Sequence, residues 1–336
     1  MISSPLVSIC LVTYNHENYI RKAIEGVLLQ EKPFEWELII GDDASTDDTV
    51  KIVGEYVNNN MPIFLISNNK NKGLNENFLH TLSQCRGKYI AYLEGDDHWI
   101  THDKLKKQVK ILEQNPDISM VHTNFKSWLV DNDIIIDRGI SFQGNCIREN
   151  SFGLSSVIAE FEGTFRPIKT STCCYRRRLL IDILKDDEFA YLNKHFPTQD
   201  FQLFQDLGFR GKFAFIDEDT TVIGVHNSIS NASDAKKRIF FRYGMFRIGI
   251  YYIEKYNLPK DSIQSWLKIQ LYYFSNAAVF YGENKIFKEI FSYSIYHDAT
   301  PSIHHKIIAL LPKNAWISNI ASYFYKIIYR NRLFQP

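Results

Sequence analysis

Four apolar, β-branched runs, at 6–12, 36–40, 63–66 and 89–93, alternate with amphipathic stretches at 19–29, 45–57, 75–84 and 104–113. Parallel strands need a crossover between them, and a helix is the usual one. This beat therefore predicts an α/β fold with a parallel sheet covered by helices on both faces. In such sheets ligands bind in the crevice outside the carboxyl ends of the strands. The chain places its polar turns at those ends: "TYNHE" after the first run, "GDDAS" after the second and "EGDD" after the fourth. Three turns far apart in sequence are expected to converge on one crevice.

The 336 residues can bury a large core in one domain or two, and 45% hydrophobic with 23% charged residues is the balance of an ordinary folded chain. A formal net charge of +1 excludes a generally basic nucleic-acid binder. The five cysteines (Cys10, Cys85, Cys146, Cys173 and Cys174) are odd in number and form no C-x-x-C pair. They predict a reduced, cytoplasmic setting and no disulfide framework. No basic region precedes the first apolar run and no apolar run reaches membrane-spanning length, so neither a signal peptide nor a transmembrane helix is expected.

Glu94, Asp96 and Asp97 gather three like charges directly after a strand. Repulsion within such a cluster calls for a positive partner, unless the turn is simply solvated and caps the next helix. Neither a P-loop nor a G-x-G-x-x-G follows the first strand, so a bound diphosphate would lack the usual glycine-rich cradle. A divalent cation on hard carboxylate oxygens, Mg²⁺ or Mn²⁺, supplies the missing charge. The second acidic strand end, Asp42 and Asp43, can accept a base N–H such as that of uracil. Lys72 and Asn77, just after the third strand, add polar groups. Ser45 or Thr46 is the expected cap of the second helix.

The ordered set "VSICLVTYNHENYIRKAI", "ELIIGDDASTDDTVKIV", "NKNKGLNENF", "GKYIAYLEGDDHW" and "KLKKQV" resembles the inverting family-2 glycosyltransferases of the GT-A fold, in particular bacterial members that build surface polysaccharides. The resemblance covers roughly 5–230 and implies a Rossmann-like, mainly parallel sheet. It implies a nucleoside-diphosphate sugar donor, UDP-sugar favoured, and a saccharide or lipid-linked acceptor. Thr13, Tyr14 and Asn15 would line the nucleotide pocket, and Asp42 or Asp43 would read the base. "EGDD" would be the D-x-D motif, with Glu94 near the ribose, Gly95 between, and Asp96 with Asp97 on the metal. Glu94 departs from the motif by one methylene. The base that activates the acceptor hydroxyl would be Asp200 in "PTQDFQLF", with Asp206 as the alternative; Gln199 replaces a frequent acidic neighbour. His226, ending "TTVIGVH", would complete the metal shell, although Gly224 stands where an arginine is usual.

The resemblance places the transferase domain at 1–232 and a helical C-terminal region at 233–336. From Ala235 the pattern is helical and strongly aromatic. Residues 299–336 hold no Asp or Glu but do hold Lys306, Lys313, Lys326, Arg330 and Arg332. Trp316, Ile320, Tyr323, Phe324 and Ile327 recur at helical spacing, which predicts a basic amphipathic helix at the inner face of the plasma membrane or packed on the domain. Two rival readings use the same acidic turns: a metal-dependent phosphohydrolase or nucleotidyltransferase, and a non-catalytic sugar-nucleotide binder.

Overall fold

The computed structural model describes residues 4–57, 61–136, 168–193, 195–225, 234–258, 260–299, 301–302 and 305–306. These fall into two compact units, one made of 4–136 with 168–225 and the other beginning at 234.

The first unit opens with β1 (Val7–Thr13), α1 (Ile20–Leu28), β2 (Trp36–Asp42), α2 (Thr49–Val57), β3 (Ile63–Ser67), α3 (Leu74–Gln84) and β4 (Tyr89–Glu94). β1 lies between β2 and β4, parallel to both, and β3 extends the parallel set beyond β2. Every residue of β1 is buried, as expected of a strand covered on both faces. Ile20, Ala23, Ile24 and Val27 give α1 a single apolar stripe, and all four are buried. Burying each such aliphatic side chain contributes about 1.5–3 kcal/mol. Helix α3 approaches β2 so closely that a Cβ on Gly41 would lie 1.7 Å from Thr81 Oγ1. Glycine is required there, and the approach carries Asn77 to the end of β2.

Beyond β4 the sheet becomes mixed, so that it is mainly rather than wholly parallel. The remaining elements are β5 (His98–Trp99), α4 (Lys104–Gln114), β6 (Ile118–Leu129), β7 (Ile134–Ile136), β8 (Cys174–Arg176), α5 (Arg177–Asp186), α6 (Glu188–Leu192), α7 (Asp200–Arg210) and β9 (Lys212–Val225). The sheet order is β3-β2-β1-β4-β8-β6-β9-β5, with β7 on β6. β8 inserts antiparallel to both β4 and β6. The runs "KFAFID" and "TTVIGV" belong to one strand, β9, which pairs with β6 through register shifts around Asn124. The irregularity accommodates the polar residues between the two apolar runs.

The expected cap of α2 is also corrected. Ser45 turns back to bond Asp42, and Asp47 Oδ1 accepts the Thr49 N–H at 3.0 Å instead. The second unit contains α8 (Ala235–Lys255), α9 (Lys260–Tyr281) and α10 (Asn284–Tyr296), as the aromatic pattern predicted. Phe246 stacks on Trp266 at 5.3 Å, and a Cβ on Gly249 would meet that indole at 2.7 Å. The amphipathic stretch from Trp316 lies outside the described residues. Among the described residues no helix is long and apolar enough to cross a membrane.

Candidate active site

The strand ends do converge. A crevice of about 330 Å³ opens at the carboxyl ends of β1, β2 and β4, and its lining includes Thr13, Tyr14, Asp43, Asn77, Glu94 and Asp96. Backbone bonds set the three turns side by side: Asp43 N–H donates to Thr13 O at 3.0 Å, and Gly95 N–H to Val12 O at 2.9 Å. Gly95 is forced by this closeness, since a Cβ there would stand 2.6 Å from Thr13 Oγ1 and 2.7 Å from His16 Nδ1. Thr13 Oγ1 is buried without a hydrogen-bond partner among the described residues. Such a group points to a ligand or water beside it.

The residues expected in the nucleotide pocket divide into two groups. Asp43 faces the crevice and also accepts from Asn68 Nδ2 (3.1 Å), Lys72 N–H (2.8 Å) and Gly73 N–H (2.8 Å). Lys72 therefore contributes its backbone to the site; its ammonium is not part of the lining. Asn77 spans Asn68 and the Gly41 carbonyl, both at 2.9 Å. Asp42 and Asn15 are not part of the lining. Asp42 is fully buried and accepts from the Ser45 amide, the Ser45 hydroxyl and Ser67 Oγ. Asn15 adopts a left-handed φ of 54° and ties the first turn to the second, donating its N–H to Ser45 Oγ and accepting from Thr46 N–H.

The acidic turn after β4 is differently supplied. Glu94, Asp96 and Asp97 each offer a carboxylate oxygen within 4.8 Å of the others. Burial and then the Asp96 charge push the Glu94 carboxyl up to about 7, against one hydrogen bond from Thr170 Oγ1 at 2.9 Å. Burial, Asp96 and Glu94 together hold the Asp97 carboxyl well above the carboxylate range. Asp97 sits beneath the cluster, with its oxygens accepting from Ser171 Oγ (2.5 Å) and Gly224 N–H (2.9 Å). The cluster has more negative charge than local donors neutralise, and its ligands are all hard oxygens. That donor set fits a divalent cation of the Mg²⁺, Mn²⁺ or Ca²⁺ kind.

Asp200 begins α7 and lies close enough to the cluster that its charge raises Glu94. Burial raises the Asp200 carboxyl itself, opposed first by the positive charge of Lys169 and then by the Phe201 N–H, which it accepts at 2.8 Å. Asp206, the alternative in the same helix, is fully buried and accepts the Tyr191 hydroxyl at 2.8 Å. Of the two carboxylates, Asp200 is the one whose charge acts on Glu94. His226 lies outside the described residues.

Sequence reasoning passed over two contributors. His16, inside the "TYNHE" turn, lines the crevice. The turn Thr170–Thr172 holds the acidic cluster from behind: Ser171 Oγ accepts the Glu94 N–H at 3.1 Å while donating to Asp97, and Trp99 Nε1 donates to Ser171 O at 2.8 Å. Its signal in the sequence was only the polar run "TST" before two cysteines.

The family model for glycosyl transferase family 2 matches residues 8–183, which include the three turns and the gripping loop. The chain belongs to glycosyl transferase family 2. It is 28% identical over 252 residues to Escherichia coli WfgD, a UDP-Glc:α-D-GlcNAc-diphosphoundecaprenol β-1,3-glucosyltransferase, covering 73% of this chain and 94% of that one. The first mycobacterial relatives, uncharacterized proteins, are 44% identical over 115 residues, and the chain covers about a third of their length (33%). Among solved structures, S. aureus TarS 1–349 in complex with UDP-GlcNAc shares the fold at a TM-score of 0.67 and 18% identity, over 98% of this chain and 93% of that one. The mannosyltransferase PcManGT from Pyrobaculum calidifontis, in complex with GDP-Man and Mn²⁺, aligns at a TM-score of 0.51 and 15% identity over 98% and 89%. These likenesses establish the GT-A type of α/β fold.

Proposed function

We propose that this family-2 chain transfers a sugar, with inversion, from a nucleoside-diphosphate sugar to a saccharide or lipid-linked saccharide acceptor in surface-polysaccharide synthesis. The observation that carries the reading is the meeting of Asp43 with Glu94 and Asp96 in one crevice, with the charge of Asp200 close enough to act on Glu94. A UDP-sugar is the favoured donor. Asp43 accepts a base N–H, and the donor bound to TarS and the donor in WfgD's name are both UDP-sugars. The lipid-linked acceptor in WfgD's name supports the same acceptor class here, and work on such an acceptor at the inner face of the plasma membrane would fit that reading. Residues 1–232 would form the transferase domain.

Asp96, with Glu94 and Asp97 in reach, would hold the divalent cation, and His226 would complete the set. Bound there, the cation offsets the charge that develops on the leaving diphosphate. Asp43 and Asn77 fix the base and Thr13 the neighbouring polar atoms, so that the anomeric carbon is presented to the acceptor. Asp200 takes the acceptor hydroxyl's proton as its oxygen bonds to the anomeric carbon and the bond to diphosphate breaks. A single displacement inverts that carbon and needs no covalent intermediate. A carboxyl raised by burial is better matched to this proton than an exposed one.

A donor panel incubated with and without acceptor tests the proposal. Consumption that depends on acceptor supports transfer, whereas equal consumption without it favours a phosphohydrolase. Asp200→Asn should lower turnover by roughly 10²–10⁴ while leaving UDP affinity intact. Turnover within a few-fold of wild type would remove Asp200 from the role.

A further inference from the structure

Lys104, the first residue of α4, is fully buried and takes no part in lining the crevice. Its place in the fold is costly on two counts. Burial pulls the ammonium down to about 8 from 10.5, and the amino-terminal end of a helix already carries the positive end of the macrodipole. The groups it touches are neutral: it donates to Gln108 Oε1 at 2.9 Å, and it lies 4.4 Å from the centroid of the Trp99 ring. An apolar side chain of the same length would fill the space without the cost of burying a charge.

Both partners lead to one turn. Trp99 Nε1 donates to Ser171 O at 2.8 Å, and Gln108 Nε2 donates to Thr172 O at 2.9 Å and to Val121 O at 3.0 Å. The ammonium can only donate, so it takes the carboxamide oxygen and leaves the NH₂ end for the carbonyls. It also holds the indole by its face, which leaves the edge N–H for Ser171 O. Two successive carbonyls of the Thr170–Thr172 turn are thus gripped by side chains that share one cation. The turn's own side chains meet the acidic cluster. Thr170 Oγ1 donates to Glu94 Oε1 at 2.9 Å, and Ser171 Oγ donates to Asp97 Oδ2 at 2.5 Å while accepting the Glu94 N–H at 3.1 Å.

We propose that Lys104 is a positioning residue for the acidic cluster: through Trp99 and Gln108 it fixes the Thr170–Thr172 turn, and that turn sets the spacing of Glu94 and Asp97 around a divalent cation. This role rests on the reading of the cluster as a cation site. The ammonium touches neither donor nor acceptor. It resists movement of the turn as a cation draws the carboxylates together.

Mn²⁺ binding to the full chain without nucleotide, followed by paramagnetic resonance at pH 7, tests this role alongside melting in EDTA. Lys104→Met removes the charge and keeps the reach of the side chain. It should melt at or above the wild-type temperature in EDTA. It should nevertheless bind Mn²⁺ roughly tenfold more weakly, the loss usual for a group behind the ligands. Ser171→Ala should lose a similar amount, and the double variant no more than the larger single loss, because the ammonium acts through that turn. Trp99→Phe, which keeps a ring beside the ammonium and removes the indole N–H, should fall between wild type and Lys104→Met. Wild-type Mn²⁺ affinity in Lys104→Met, or losses that add in the double variant, overturns the role. So does a Lys104→Met chain that melts far below wild type, since the ammonium would then be a packing element. Unchanged Mn²⁺ affinity in Asp96→Ala sinks the cation site itself, and the role of Lys104 with it. Affinity lost in Asp96→Ala but kept in Lys104→Met sinks the role alone.

Discussion

The two acidic turns of the crevice look alike in sequence, each a pair of aspartates at the end of a parallel strand, yet the fold treats them in opposite ways. After β2, Asp42 and Asp43 each collect three hydrogen-bond donors from serine, asparagine and backbone groups. After β4, Glu94, Asp96 and Asp97 crowd within 4.8 Å, and burial with the Asp96 charge raises both Glu94 and Asp97. The first turn is a finished scaffold that holds its charge with neutral donors. The second crowds its charges, which are relieved by protonation of the raised carboxyls or would be offset by a bound cation. An acidic strand end is therefore not by itself a metal site; the count of donors brought to it decides.

The largest effect should come from the unbalanced turn. Asp96→Ala should weaken UDP binding in Mn²⁺ by roughly 10²-fold or more, measured by calorimetry, and abolish the difference between Mn²⁺ and EDTA. Retained Mn²⁺ dependence would erase the contrast between the turns.

A stability effect should appear at the scaffold turn. Asp42→Ala removes the buried acceptor of the Ser45 amide and hydroxyl and of Ser67 Oγ, and because Ser45 is half-buried and Ser67 exposed the loss should be about 1 kcal/mol. Urea unfolding should show that loss whether or not Mn²⁺ is present. An unchanged midpoint would mean that the donors around Asp42 are incidental.

The smallest effect is a pH slope. The Glu94 carboxyl, raised to about 7 from 4.5 by burial and Asp96, makes the folded state bind its proton more tightly than the unfolded state does. Its contribution is complete below pH 4.5 and is lost as pH rises through about 7. Metal-free protein should thus melt a few degrees lower at pH 8 than at pH 5.5, and Glu94→Gln should flatten that slope. Mn²⁺ should restore stability most at the higher pH, where the carboxylates are charged. A slope identical in the mutant would show that Glu94 is not the strained member.

Much of the architecture was legible in the chain. The apolar runs and 3.6-residue stripes of the first hundred residues are properties of neighbours in sequence, and they located β1 to β4 and their helices within a residue or two, except for the start of α2, which lies at Thr49. The polar turns were placed at the right ends because parallel strands share one direction. Asp200 was singled out by the family resemblance, and the fold sets its charge near Glu94.

What the chain alone could not decide depends on residues that meet across long separations. Ser171 reaches Asp97 from 74 positions away, and Lys72 reaches Asp43 from 29. β8 enters antiparallel between β4 and β6 because a three-residue strand carries too little pattern to announce its direction. Hydrophobic periodicity is a local quantity, so sequence determined where the strands, helices and polar turns would lie. The charge state of a carboxylate is a sum over its neighbours in space, so only the tertiary structure decided that Asp42 is braced while Glu94 and Asp97 are strained.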